Sequence, residues 1–111
     1  MGFFSWGIIV VKYKIFISEK ANQQIKEHLV FISNVSKEAA DKQKIIFKDS
    51  VDKIEEDPKA YPFFESKYIP VNKYHKYIVS KRYIIIYQIQ DDVIYVDYVV
   101  DTRQNYQWLI R

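Results

Sequence analysis

The stretch KRYIIIYQIQDDVIYVDYVVDTR, residues 81–103, constrains the chain more than any other. Two runs of β-branched and aromatic residues flank Asp91 and Asp92. The runs suit a pleated surface and the paired aspartates suit a turn. Strands are expected over Tyr83–Gln90 and Val93–Val100, closed by a two-residue turn that sets Gln90 opposite Val93. Side chains alternate across a strand, so this register fixes both faces. One face collects Tyr83, Ile85, Tyr87, Ile89, Ile94, Val96, Tyr98 and Val100, with no charge among them, and it has to be covered. The other pairs Arg82 with Asp101, Ile84 with Val99, Ile86 with Asp97 and Gln88 with Tyr95, with Arg103 just beyond. That second face is mixed and partly wet, and it is the sheet surface left for function.

The cover is upstream. KYKIFIS, residues 12–18, alternates Tyr13, Ile15 and Ile17 against Lys12 and Lys14 and reads as a first strand. Ser18 can cap a helix running to about Asn34, with Ala21, Ile25, Leu29 and Ile32 along one face. Ser36 offers a second cap for a helix to about Glu56, with Ala40, Phe47, Val51 and Ile54 on one side and Asp57 and Pro58 ending it. So short a connection makes the two helices an antiparallel hairpin whose apolar side lies on the uncharged sheet face. Residues 58–70 hold all 3 prolines and the cluster YPFF, and read as a packed loop. A further strand over Tyr74–Val79 precedes the hairpin, and a short helical tail near Asn105–Ile110 follows it. The fold class is α+β: an N-terminal strand and a helical hairpin packed on one face of a small, mainly antiparallel sheet.

The chain of 111 residues suits one domain, 12–111, preceded by a hydrophobic extension, 1–11, that is too short to span a bilayer of ~20 apolar residues. With no Cys there are no disulfides, thiolate nucleophiles or Cys-based metal sites, which fits a cytoplasmic protein. With only His28 and His75, a multi-His metal site is not expected either, and no cofactor is implied. The 2 glycines, Gly2 and Gly7, exclude a phosphate-cradling P-loop. The net charge is +3. Between residues 67 and 90 the charged residues are Lys67, Lys73, Lys76, Lys81 and Arg82, with no acid among them. This bias either solubilises the rim of an apolar sheet or attracts an acidic partner.

Individual site candidates carry two readings each. Arg82 and Asp101 form a cross-strand ion pair in the expected register. Arg103 is either a rim arginine paired to Asp101 or a phosphate contact, for which the forked guanidinium donors are suited. His75 is a candidate general acid or base, but without a second base beside it a structural role is the stronger reading.

In order and length, these elements resemble the RelE/ParE superfamily of bacterial type II toxins. YKIFISEKANQQIKEHLVFI looks like the family's opening strand and first helix. SKEAADKQKIIFKDSVDKIEEDP looks like its second helix, and KRYIIIYQIQDDVIYVDYVVDTRQNYQWLI resembles its hairpin, with a Tyr in the first strand and an Arg closing the second. The resemblance implies a growth-inhibiting toxin held inactive by a cognate antitoxin. RelE-like members cleave mRNA on the ribosome without a metal, and ParE-like members act on DNA gyrase. Arg103 matches the arginine that closes the RelE-like hairpin. However, Ile84 stands where those members carry another arginine, His75 and Tyr77 fall where they carry lysines, and Leu109 stands where a catalytic tyrosine is expected. ParE-like target binding is therefore favoured. The alternatives are a variant nuclease site made of His75, Lys81, Arg82 and Arg103, or a non-toxic nucleic-acid or protein-binding module on the same fold.

Overall fold

A computed structural model describes residues 12–103. The N-terminal extension and the expected C-terminal helical tail lie outside those residues. Strand β1, Lys14–Ile17, leads into helix α1, Glu19–Ser33. Helix α2, Lys37–Glu56, is followed by one 3-10 turn, Pro58–Ala60, and then by strands β2, His75–Val79, β3, Tyr83–Gln90, and β4, Val93–Asp101. Both helices begin where a serine hydroxyl meets a free amide of the first turn. Ser18 accepts from Ala21 N at 2.9 Å and Ser36 from Ala39 N at 3.1 Å. Asp57 leaves helical geometry immediately before Pro58, as the proline ring demands of its predecessor.

The sheet is four-stranded in the order β1-β4-β3-β2, antiparallel except for the β1–β4 pair. Strand β1 is thus remote in sequence from its partner, and the helical hairpin is the crossover that returns the chain to the sheet. Ala21, Phe47, Val51 and Ile54 are buried against Val79, Tyr83, Ile85, Tyr87, Ile94, Val96 and Val99, with Ile25, Leu29 and Ile32 packed at the margin. The expected apolar stripes of both helices are the ones that cover the sheet.

The hairpin register holds only near its turn. Gln90 pairs with Val93 and Tyr87 with Val96, as expected, but Ile86 pairs with Tyr98 rather than Asp97. Asp97 is the extra residue of a β-bulge, and past a bulge every later side chain changes face. Val99 therefore joins the core under the helices, while Tyr98 and Val100 turn to the opposite side. Tyr83, Ile84 and Ile85 now oppose Asp101, Val100 and Val99.

The expectation of a mixed, partly wet second face is corrected as well, because a loop covers it. Phe64, Tyr74, Ile84, Ile86 and Val100 form a second buried cluster, roofed by Tyr68, Ile69 and Tyr98. The proline-containing loop supplies that roof. Phe64 N donates to Tyr74 O at 2.7 Å and Lys76 N to Pro62 O at 2.9 Å, tying the loop to the outer edge of β2. Burying both faces of β3 explains its nearly continuous apolar sequence, a pattern expected of strands covered on two sides.

Candidate functional site

Arg82, Asp101 and Arg103 meet where β3 begins and β4 ends. The Asp101 carboxylate accepts from Arg103 Nε at 3.0 Å and from Arg103 Nη2 at 2.8 Å, a bidentate pair, and also from the Arg103 backbone amide at 2.9 Å. Arg82 Nε reaches the same carboxylate at 3.4 Å. The Arg103 side-chain and backbone donors, joined by Arg82, hold the Asp101 carboxyl well below the usual carboxylate range, although its partial burial works the other way. In turn, Asp101 raises the pKa of Arg103. The Arg82 guanidinium lies 5.8 Å from the Phe31 ring centre and 5.7 Å from that of Tyr83, so its planar face is also engaged. His28 completes this shallow notch, with its ring 4.6 Å from Tyr83.

The other sequence-derived candidates lie elsewhere. Lys81 is exposed in the tight β2–β3 turn, where Ser80 and Lys81 both have left-handed backbone, φ 54° and 60°. His75 opposes Tyr87 in the middle of β3, whereas the arginine cluster is next to Tyr83; four residues of strand, roughly 13 Å, separate them. It is buried, with Nδ1 hydrogen-bonded to Tyr61 O at 2.8 Å and its ring held between Phe63 at 4.4 Å and Tyr87 at 5.4 Å. An imidazole held in this way serves the packing of the loop on the sheet. Arg82 and Arg103 are therefore brought together, Lys81 is adjacent in sequence but in the turn, and His75 is apart.

Two polar arrangements escaped the sequence. Val99, past the end of β1, directs its amide and carbonyl toward α1. There Gln24 Oε1 accepts from Val99 N at 2.7 Å, and His28 Nε2–H donates to Val99 O at 2.9 Å. Across the sheet, Gln88 Nε2 donates to Asp97 Oδ2 at 2.7 Å. Tyr74 also bonds Asp97, and burial together with this carboxylate pushes its phenol up to about 12. No local pattern marks either set, because each depends on the bulge at Asp97. Among the described residues there is no cluster of three or more His, Asp or Glu suited to a metal ion, and no helix is long and apolar enough to cross a membrane.

A parallel β1–β4 pair, a helical hairpin on one side and an antiparallel β2–β3–β4 meander place the chain in the RelE/ParE superfamily of toxins. Residues 15–106 match the model of the family described as ParE toxin of type II toxin-antitoxin system, parDE, and the chain belongs to that family. A solved structure described as the chromosomal ParDE TA system from P. aeruginosa superposes with a TM-score of 0.67 at 10% identity, covering 81% of this chain and 96% of that one. At that identity the likeness is one of fold. No curated protein matches the sequence.

Proposed function

We propose that this ParE-family toxin acts by binding DNA gyrase rather than by cleaving mRNA, and that a cognate antitoxin neutralises it. The observation that carries the reading is the occupation of Arg103. Its Nε and Nη2 edge is paired with Asp101, so a phosphate approaching that edge would have to displace a carboxylate. Two further features point the same way. Ile84, which stands where RelE-like members carry an arginine, is buried beneath Tyr68 and Ile69. His75 is engaged with Tyr61 O and lies far from the arginine cluster. A ribonuclease needs cationic groups converging on one phosphate and a group to move a proton. A toxin that binds a large protein target needs only surface.

Controlled induction in a bacterial host, with and without the neighbouring antitoxin reading frame, tests the toxin reading. Plasmid supercoiling and ribosome-bound mRNA cleavage are followed in parallel. The proposal expects growth arrest relieved by the antitoxin, relaxed or broken plasmid, intact mRNA, and undiminished arrest by Arg103→Ala. Cleaved mRNA together with a loss of toxicity in Arg103→Ala would overturn it in favour of the nuclease site. Unimpaired growth at confirmed expression would favour a binding module without toxicity.

A further inference from the structure

The sheet has two outer edges, and they are finished differently. The edge of β2 is tied to the loop, through Phe64 N to Tyr74 O and Lys76 N to Pro62 O. The edge of β1 ends the strand order, and no further strand among the described residues pairs with it. Such a row of amides and carbonyls is a template for another strand.

Which groups are offered follows from the bonds on the inner side of β1. Lys14 N donates to Asp92 O and Ser18 N to Val96 O, each at 2.9 Å, so the even-numbered residues turn their backbone groups toward β4. By alternation the amides and carbonyls of Tyr13, Ile15 and Ile17 point outward. Asn22 Nδ2 donates to Ile17 O at 3.4 Å, and the second lone pair of that carbonyl stays available. The two faces of the strand are equally distinct. Tyr13, Ile15 and Ile17 are half-buried at the margin of the core under the helices. Lys14 and Phe16 are exposed on the opposite face, Phe16 by 57%, with its ring stacked 6.0 Å from that of Tyr95.

We propose that β1 pairs with β1 of a second copy of this chain, antiparallel about a two-fold axis through Ile15, joining the two sheets edge to edge. In that register Ile15 faces its own copy and Tyr13 faces the partner's Ile17. Each of these opposed pairs exchanges two backbone hydrogen bonds. On the core side, the half-buried margin of one copy meets the same three apolar side chains of the other. On the opposite side, Phe16 lies across from the partner's Lys14, a ring against an ammonium and its apolar stem. A second copy is the occupant selected, because over residues 13–17 every opposed pair is apolar with apolar or cation with ring. Centring the pairing on Phe16 instead would set Tyr13 opposite Glu19, which already belongs to α1. A strand this short covers less than the ~800 Å² per partner of a standard interface, so monomer and dimer exchange. The inference is independent of whether gyrase is the toxin's target.

Sedimentation velocity of the full chain from about 10 μM to about 1 mM, with amide exchange followed at both concentrations, provides the test. A reversible dimer is expected, with exchange of the Ile15 amide slowed at least about threefold at the higher concentration. Phe16→Lys, at an exposed position, sets a second ammonium across from the partner's Lys14 and is expected to weaken dimerisation at least about tenfold. Adding Lys14→Glu to that variant makes the opposed pairs complementary again and is expected to restore the dimer, which also shows that the first change did not unfold the chain. A monomer at every concentration, a dimer that Phe16→Lys leaves intact, a double variant as weak as Phe16→Lys alone, or Ile15 exchange that ignores concentration would each overturn the proposal.

Discussion

Replacing Gln24 by Met removes a hydrogen-bond acceptor while keeping a side chain of similar length, and so isolates what the α1 side chains do for the free edge of β4. In the wild type, Val99 is 0% exposed and its amide has the Gln24 carbonyl oxygen at 2.7 Å. Without that oxygen the amide is buried and unpaired, which costs about 1–3 kcal/mol. His28→Phe does the same to the Val99 carbonyl, now served by Nε2 at 2.9 Å, while a ring remains to lie against Tyr83. The two changes act on different groups of one residue, so together they should cost roughly 2–6 kcal/mol, a large part of the 5–15 kcal/mol typical of a domain. Equilibrium urea unfolding at pH 7 measures this as a lower midpoint with an unchanged slope, provided the denatured state is unaltered. Amide exchange at Val99 should quicken in Gln24→Met before the rest of β4 responds. Losses below about 0.5 kcal/mol for each single variant would refute the reasoning, because the edge would then be satisfied without α1.

Tyr87→Phe should lower stability by about 1–3 kcal/mol, because the buried phenol donates to Pro58 O at 2.6 Å and that carbonyl would be left unpaired; thermal unfolding is the check. Asp101 has a depressed folded-state pKa, so its contribution is present above the ordinary carboxylate range and is lost as pH falls through the folded value. Asp101→Asn should therefore be less stable than wild type near neutrality and show a shallower loss of stability below about pH 4, measured by urea unfolding across that range; parallel curves would count against this role.

The local rules of the chain were legible where the cause is local. Ser18 and Ser36 cap helices because a hydroxyl three residues before an amide needs no distant partner. The stripes of Ala21, Phe47, Val51 and Ile54 settle on the sheet because helical periodicity alone places them on one side. The ion pairs expected of the arginines also form, with Asp101 pairing both Arg82 and Arg103. The far side of the sheet departs from strict alternation at one residue. Asp97 looks like an alternating polar position, and its insertion as a bulge reverses Tyr98, Val99 and Val100.

By itself, then, the sequence determined the order of elements, the turn at Asp91 and Asp92, the helical cover of one face and the family resemblance. Each of these follows from periodicity, capping or turn chemistry within a few residues. Only the tertiary structure decided that the second face is a core under the 61–74 loop, that Asp101 occupies Arg103, and that β1 ends the sheet. These depend on which strands β1 and β2 lie beside and on a one-residue bulge, and such relations between distant segments have no local periodicity to mark them.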